Sequence, residues 1–314
     1  MDQADSISTA PPGPRVTALI VSFNCVAPLR RCLKSLLASR QRETLEILAV
    51  DQGSSDGSNR VDEEFNDVTV LRLPHYIGLT RARNIGIRTA KGEHLLFLTP
   101  DVEVQPDTVA ALADTLAARP DALAVCPMLV DEEGKAAPQV FRLPGKDDLY
   151  RVWRGGELEA LPIPDLAGDP VAVELSSGKA LLIRKQTLQG INYLDEKFGE
   201  HWIDAEVCYE IRRAGKKILL LPQRRAVVQT GGLWRPSTSA ERAAFAADCA
   251  LGAAAYLKKH EGFGAGLGLQ VKATLRAVAA AVGGSLVCSD LAYRWGLVAR
   301  LFAGQKLDGG TQSM

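Results

Sequence analysis

Short apolar runs alternate with amphipathic segments through the first third of the chain. Four runs have the length and continuous apolar character of buried strands, namely residues 16–22, 45–50, 68–73 and 93–98. Three segments between or after them repeat apolar residues at helical spacing, namely residues 28–39, 79–92 and 107–118. Strands that alternate with helices in this way predict an α/β fold with a mostly parallel sheet and right-handed crossovers.

The pattern changes after residue 123, where isolated strands replace the regular alternation. A Gly- and Pro-rich connection separates them, and a helix ending at Gly215 precedes the apolar strand ILLLP. Beyond Arg235 the chain is Ala-rich, with helical patterns at 240–260 and 267–302. We therefore predict a disordered tail at 1–14, a domain at 15–235 made of a first half (15–110) and a second half (111–235), and a C-terminal helical region at 236–314.

Composition and charge narrow the class of protein. Of the 314 residues, 46% are apolar and 24% are charged, which is ordinary for a globular protein. The 37 basic and 37 acidic side chains balance, so no general affinity for nucleic acid is indicated. The cysteines lack metal-ligand spacing, the first residues do not resemble a signal peptide, and charges interrupt the long apolar stretches. We therefore expect a cytoplasmic protein with no membrane-spanning helix and no nucleic-acid partner.

Polar residues follow the first two predicted strands. The run ALIVSFN ends at Asn24, and LEILAVDQGSSDGS places Asp51 directly after the second run. Ligands of open α/β sheets collect beyond the carboxyl ends of the strands, so we expect Asp51 at a ligand site. The segment GSSDGS lacks the pattern of a P-loop or of a dinucleotide-binding loop. We interpret it as a turn and helix cap that positions Asp51.

Seven segments occur in an order that resembles family 2 glycosyltransferases of the GT-A fold, in the style of bacterial rhamnosyltransferases. They are IVSFN, LAVDQGSSDGS, IGLTRARNIGI, GEHLLFLTPDVEVQPD, SSGKALLIR, YLDEKF and WIDAEVCYEIRRAGKKILLLP. The resemblance covers roughly residues 16–232 and implies a Rossmann-like sheet flanked by helices. It also implies a nucleotide-sugar donor bound by the first half and a saccharide or lipid-linked acceptor bound by the second.

The resemblance assigns nucleotide contacts to the ends of the first two strands. The loop of Val21, Ser22, Phe23 and Asn24 would offer backbone hydrogen bonds and an aromatic face to the base. Asp51 would accept hydrogen bonds from the base or the ribose. The alternatives are a core aromatic residue for Phe23 and a turn-capping carboxylate for Asp51.

Further charged residues are candidates for the diphosphate and for a divalent metal. Arg81 and Arg83 would meet the diphosphate, unless they form a solvated helix face. Asp101 follows the fourth strand, where this fold usually has a metal-binding acidic motif, and Gln229 stands where many relatives have a histidine ligand. We expect Asp101 to contact the nucleotide, and a Mn²⁺ or Mg²⁺ ion at Asp101 and Gln229 that is weakly bound or dispensable.

Asp204 matches the position of the catalytic base in similar enzymes, with Glu206 and Trp202 beside it. A carboxylate there takes the proton of an acceptor hydroxyl while its oxygen attacks the anomeric carbon opposite the diphosphate, which inverts the sugar. We expect Glu206 to share the catalytic site and Trp202 to contact the acceptor. The competing interpretation makes the two acids helix-start residues that interact with the helix dipole.

Several positions depart from the family pattern. Gln52 and Tyr76 replace asparagines, Thr99 and Ile203 replace acids, and Gln229 replaces the histidine. Two hypotheses remain open: an active glycosyltransferase with weak metal dependence, or a catalytically degenerate binding or scaffold protein. In the first, nearby arginines compensate the diphosphate charge, the candidates being Arg81, Arg83, Arg224 and Arg225. A nucleotide-dependent oxidoreductase ranks lower because the glycine fingerprint is missing.

The Ala-rich C-terminal region combines apolar helical spacing with basic residues. These are Lys258, Lys259, Lys272, Arg276, Arg294 and Arg300. One interpretation is peripheral contact with a membrane surface, where a lipid-linked acceptor would be found. The other is packing against the catalytic domain or a second subunit.

Overall fold

A nine-stranded sheet with helices on both faces forms the centre of the molecule. The computed structural model describes residues 13–163, 169–286 and 290–305. Apart from Gly13 and Pro14, the predicted tail at 1–14 lies outside the described residues, as does Cys288.

The order of the strands differs from their order along the chain. The strands are β1 Val16–Ser22, β2 Leu45–Asp51, β3 Val68–Arg72, β4 His94–Leu98, β5 Val102–Val104, β6 Ala122–Val130, β7 Val140–Phe141, β8 Val171–Val173, β9 Leu175–Ser176, β10 Ala180–Arg184 and β11 Lys217–Val228. The main sheet has the order β3-β2-β1-β4-β10-β6-β11-β5, with β8 paired to β11 outside this path. β7 and β9 form a separate two-stranded sheet.

One half of the sheet is parallel and the other half is mixed. β3, β2, β1 and β4 run parallel, as the strand–helix alternation predicts. β10 is antiparallel to both β4 and β6, and β11 is parallel to β6 but antiparallel to β5. The α/β class is confirmed, but the mostly parallel arrangement holds only where strands and helices alternate. A long connection returns the chain as β10 in the opposite direction, and such a connection needs no crossover helix.

Helices cover both faces of the sheet. They are α1 Val26–Leu37, α2 Leu79–Thr89, α3 Thr108–Ala118, α4 Lys146–Trp153, α5 Lys185–Gly190, α6 Ile203–Arg213, α7 Ser239–His260, α8 Phe263–Leu286 and α9 Leu291–Ala303. α1 and α3 bury Leu33 and Leu112 in one core, while α2 and α6 bury Ile87 and Ile211 in the other. Successive strand residues point to opposite faces, so each buried strand contributes to both cores.

The last three helices pack together through small side chains. Ala243 and Ala247 of α7 meet Ala273 and Ala277 of α8 in a third core, which also includes Leu297 of α9. The predicted helical stretch at 267–302 is two helices rather than one, and residues 287–289 lie outside the described part. Among the described residues, no helix has the length and hydropathy needed to cross a membrane.

Trp202 anchors α7 to the sheet domain. Its side chain is 2% exposed, and its indole N–H donates to the carbonyl of Cys249 over 2.9 Å. We predicted that Trp202 contacts the acceptor. That prediction is not supported, because the ring is turned into the core between α6 and α7, where an acceptor has no access.

Glu206 also holds α7 in place. Its carboxylate is 3% exposed and pairs with Lys259 and His260 near the end of α7. Residues two apart on a helix lie about 200° around its axis, so Glu206 is on the opposite side of α6 from Asp204. The predicted catalytic role of Glu206 is therefore corrected to a structural one.

Replacing Glu206 by Gln should destabilise the fold by about 2 kcal/mol, because Lys259 loses a buried counter-charge and His260 loses its carboxylate hydrogen-bond partner. Urea denaturation of the full chain measures this change. Glu64→Gln is the matched control, since its pair with Arg30 is largely exposed and should contribute about 0.5 kcal/mol or less. Equal losses in the two variants would contradict the structural role of Glu206.

Candidate active site

β1 and β4 are neighbouring strands whose helical connections pack on opposite faces of the sheet. The chain leaves β1 through α1, which packs on one face, and reaches β4 through α2, which packs on the other. β1 and β4 are neighbours, so a crevice opens beyond their carboxyl ends. Open α/β sheets bind ligands at such a switch point. The candidate site lies there.

Asp51 is a buried capping residue at the end of β2. Its side chain is 0% exposed and accepts hydrogen bonds from the Ser22 hydroxyl, the backbone N–H groups of Gly53 and Ser54, and the Ser54 hydroxyl, at 2.6–3.1 Å. This is the geometry of the turn-capping alternative. Direct contact with a nucleotide would require Asp51 to give up one of these bonds, so its contribution to the site is to hold the loop after β2.

The GSSDGS segment caps α1, as the sequence predicts. Asp56 accepts a hydrogen bond from the N–H of Val26 over 2.8 Å, and α1 therefore begins at Val26 rather than at residue 28. Partial burial raises the pKa of Asp56, but the hydrogen bonds from Val26 and Ser58 lower it more, and the net shift is downward. Asn24, at a positive φ of 43°, accepts from the N–H of Ser55 and so joins the two loops.

Four aromatic side chains cluster beside the loop after β1. Phe23 lies 5.0 Å from Tyr76 and 5.1 Å from Trp234 between ring centroids, and Phe245 of α7 packs on Trp234 at 5.4 Å. Phe23 is only partly buried, so it is not the core aromatic residue that we considered as an alternative. Val21 lies within β1 and packs toward the core, so only its backbone can serve the site.

Tyr76 connects this aromatic cluster to a pair of acids. Its hydroxyl hydrogen-bonds Glu200, which also accepts from the N–H of Leu79, while Asp248 accepts from the N–H of Glu200 over 2.8 Å. Burial raises the pKa of Glu200, and burial together with that carboxylate raises the pKa of Tyr76. The loop before α2 is thereby tied to α7.

Asp101 lies at the other side of the crevice and is already neutralised by a lysine. The residue is buried, and its carboxylate accepts from the Thr99 hydroxyl over 2.5 Å and from the Lys179 ammonium over 2.6 Å. The antiparallel register of β10 and β4 brings Lys179 there, because Ala180 pairs with Leu98. Lys179 is not among the site residues predicted from the sequence.

Gln229 is next to Asp101, as expected for two residues of one site. Its N–H donates to the Asp101 carbonyl over 2.8 Å. Its side-chain oxygen accepts from the Arg31 guanidinium over 2.6 Å, while its side-chain nitrogen is buried and has no hydrogen-bond partner within the described chain.

The donor set around Asp101 does not fit a divalent metal. Both carboxylate oxygens of Asp101 and the side-chain oxygen of Gln229 already accept from Thr99, Lys179 and Arg31. Mg²⁺ and Mn²⁺ favour several oxygen ligands with net negative charge, whereas this site has one carboxylate and a cation in contact with it. No group of three or more metal-ligating His, Cys, Asp or Glu residues occurs in the described part of the chain.

Asp204 begins α6 and faces the same crevice. Its carboxylate accepts from Arg83 and from the N–H of Gly178, each over 3.0 Å, and one third of its side chain is exposed. A Cβ at position 178 would overlap the Asp204 carboxylate, so glycine is required for this approach. The Arg83 guanidinium also lies 5.0 Å from the Phe97 ring centroid and is 5% exposed.

The two arginines predicted to bind the diphosphate point in different directions. The Arg83 guanidinium donates hydrogen bonds to Asp204 and to the Gly178 carbonyl. Its expected role is therefore corrected from diphosphate contact to orientation of Asp204. Arg81 pairs with Glu196 over 3.1 Å and is half exposed. Residues two apart on α2 face opposite sides, so Arg81 does not join Arg83 at the crevice.

The structure thus brings Phe23, Asn24 and Asp51 together on one side of the crevice, and Asp101, Gln229 and Asp204 on the other. Lys179 and Trp234 join them without having been predicted. The SSGKALLIR segment contained a signal for Lys179, since a charged residue opens an apolar strand. Its partner is 78 positions away in the chain, which no local pattern reveals.

Comparison with known proteins gives matches to glycosyltransferases. Residues 17–159 match the family described as "Glycosyl transferase family 2". The putative glycosyltransferase EpsH of Bacillus subtilis is 34% identical over 98 residues, which are 30% of this chain and 28% of that protein. A longer match is to N-acetylglucosaminyl-diphospho-decaprenol L-rhamnosyltransferase of Mycobacterium tuberculosis, 24% identical over 64% of this chain and 72% of that protein.

A solved structure shares the fold. The crystal structure of GalNAc-T7 with UDP, GalNAc and Mn²⁺ superposes with a TM-score of 0.58 and 19% identity, over 74% of this chain and 47% of that one. The GT-A arrangement of sheet and flanking helices is therefore confirmed.

Replacing Asp51 by Asn should destabilise the protein by about 2 kcal/mol, because an amide N–H₂ would face donors that now meet a carboxylate. Asp67→Asn is the control, since the Asp67 side chain is 72% exposed, and it should change stability by about 0.5 kcal/mol or less. Urea denaturation compares the two, and a loss for Asp51→Asn no larger than that of the control would exclude the capping role.

Proposed function

We propose that this family 2 glycosyltransferase domain transfers a sugar from a nucleoside diphosphate sugar to an acceptor hydroxyl, with inversion at the anomeric carbon. The observation that carries the proposal is the position of Asp204, whose side chain is one third exposed and is oriented by Arg83 and Gly178. The match to EpsH covers only 28% of that protein, so relatives support the reaction class and leave the substrates to experiment.

The donor is expected to enter between the loops after β1 and β4. Phe23 and Trp234 offer aromatic faces to a base, and the loop of Ser22 and Asn24, held by Asp51, offers backbone groups. UDP in the GalNAc-T7 crystal structure supports a nucleotide donor. From the family resemblance we expect uridine or deoxythymidine diphosphate as the nucleotide.

Asp204 acts as the general base in this proposal. It takes the proton of the acceptor hydroxyl while that oxygen bonds to the anomeric carbon and the bond from this carbon to the diphosphate oxygen breaks. The electron pair of that bond leaves with the nucleoside diphosphate. Each carboxylate oxygen of Asp204 accepts one protein hydrogen bond, and so retains a lone pair for the proton. Attack from the face opposite the leaving group inverts the sugar.

A divalent cation was expected at Asp101 and Gln229. The GalNAc-T7 structure contains Mn²⁺, which supports such an ion in the wider family. The donor set of this chain does not fit one, and no step of the proposed reaction depends on it.

The acceptor is proposed to be lipid-linked, and the C-terminal helices to lie on an anionic membrane surface. Large apolar side chains are exposed along one face of α8 and α9, namely Phe263, Leu267, Val271, Leu275, Val282, Leu291, Trp295 and Phe302. Lys258 of α7 adds positive charge beside this face, since its ammonium lies 4.6 Å from the Phe263 ring centroid, which suits anionic lipid. The lipid-linked substrate named for the mycobacterial relative supports this assignment. The cytoplasmic location stays a prediction.

Asp204→Asn should lower kcat by about 10²–10⁴-fold, because the amide cannot accept the acceptor proton. The readout is release of nucleoside diphosphate from candidate donors, with UDP affinity from calorimetry and circular dichroism as folding checks. UDP affinity should change little, since Asp204 serves the chemical step. Asp114→Asn, on the exposed face of α3, is the control.

Three results would contradict the proposed function. Turnover by Asp204→Asn at the wild-type rate would remove Asp204 as the base. UDP binding without transfer by the wild-type chain, for every donor and acceptor pair tried, would favour the non-catalytic binding protein. Retention of the donor's anomeric configuration in the product, read by NMR, would contradict single-step inversion.

Adding charge to the exposed apolar face should release the protein from membranes. We expect the double variant Val271→Asp and Leu275→Asp to lower co-sedimentation with phosphatidylcholine–phosphatidylglycerol vesicles by about tenfold, because apolar burial and charge attraction are both lost. Ala117→Asp with Ala118→Asp adds the same charge at exposed positions of α3 and should have little effect. Equal sedimentation of wild type and both variants would refute the membrane surface.

A further inference from the structure

Lys179 and its neighbour Gly178 contact the two acids, Asp101 and Asp204, that lie on the same side of the crevice. Lys179 precedes β10, and its carbonyl accepts from the N–H of Thr99 over 2.9 Å, beside the end of β4. Its ammonium is 2.6 Å from the nearer oxygen of Asp101. The preceding residue, Gly178, donates its N–H to Asp204 over 3.0 Å. Two consecutive residues therefore link Asp101 to Asp204.

The ammonium of Lys179 is accessible, while its partner is buried behind it. The side chain of Lys179 is 37% exposed and that of Asp101 is 4% exposed. An ammonium carries three N–H donors, and Asp101 accepts one of them. Asp101 therefore fixes the ammonium in place, with the remaining donors available to an anionic ligand in the crevice.

The residues around Asp101 also favour a lysine over a metal ion as its partner. Thr99 donates its hydroxyl to Asp101, and so uses an oxygen that a metal ligand would need free. Gln229 accepts from Arg31, and its buried side-chain nitrogen is a donor without a partner among the described residues. A donor group suits an anion rather than a cation.

We propose that Lys179 binds the diphosphate of the donor and takes the place of a divalent cation, so that nucleotide binding by this chain is independent of metal. This inference rests on the proposed glycosyl transfer. It differs from the expectation that the arginines of α2 compensate the diphosphate, since Arg83 is paired with Asp204 and Arg81 with Glu196.

The chemistry of the leaving group follows from this assignment. When the bond between the anomeric carbon and the diphosphate oxygen breaks, the nucleoside diphosphate gains one negative charge. Lys179 stabilises that charge through hydrogen bonds and remains protonated, while the acceptor proton goes to Asp204. The pair of Lys179 and Asp101 is neutral overall, so we expect weaker nucleotide binding than a divalent ion would give, and a marked decrease with salt.

Calorimetry of the full chain with UDP tests the proposal, once in EDTA and once with Mn²⁺. We expect UDP to bind in EDTA, with an affinity within about twofold of that with Mn²⁺. Lys179→Met keeps the length of the side chain and removes its charge. It should weaken binding in EDTA by about 10- to 100-fold, the loss expected for charge-assisted hydrogen bonds.

Matched variants separate this role from a structural one. Lys135→Met removes an exposed lysine from the turn after β6 and should bind UDP as the wild type does. Asp101→Asn with Lys179→Met leaves no unpaired buried carboxylate, so it should fold normally and still lose UDP binding in EDTA. Lys179→Arg should restore much of the affinity, because the positive charge is kept.

The outcomes distinguish the two proposals. Wild-type binding only with Mn²⁺ would overturn the role of Lys179 and leave the glycosyltransferase proposal intact. Wild-type affinity in Lys179→Met or in the double variant would also overturn it. Absence of UDP and dTDP binding by the wild type in both conditions would overturn the proposed function together with this inference.

Discussion

The antiparallel pairing of β10 with β4 is the constraint on which the candidate site depends. This pairing places Lys179 beside Asp101 and Gly178 beside Asp204, so residues from three distant parts of the chain meet at one sheet edge. β10 is the centre of the sheet and is buried on both faces, which makes its register costly to change, because a slip of one residue would turn every side chain to the other face. The position of the ammonium is therefore set by the core.

The C-terminal helix α7 also supports the candidate site. α6 presents Asp204 to the crevice on one side and Glu206 to α7 on the other, so the pairing of Glu206 with His260 and Lys259 fixes the rotation of the helix that carries the proposed base. α7 also supplies Phe245 to the aromatic cluster around Trp234. These contacts make α7 a part of the site's support, whatever surface α8 and α9 bind.

Local sequence patterns predicted the strands and helices well, but they predicted the directions of individual side chains poorly. The first four strands and three helices follow from apolar periodicity, which is a local property, and so does the expectation that Asp51 ends a strand at a ligand site. The roles of Asp101 and Asp204 came from the family resemblance. The misplaced residues were Trp202, Glu206 and Arg83, whose direction depends on packing between elements. The sequence marks Lys179 only as a charged residue before an apolar strand, because its contact with Asp101 comes from the long-range pairing of β10 and β4.

A crystal structure with UDP, grown without divalent cations, tests the central claim most directly, since it shows where the diphosphate lies relative to both carboxylates. The account predicts the base beside Phe23 and Trp234, phosphate oxygens within hydrogen-bond distance of the Lys179 ammonium, and the β-phosphate on the side of Asp204. Nucleotide bound elsewhere on the protein, or phosphates turned away from Lys179 and Asp204, would contradict it.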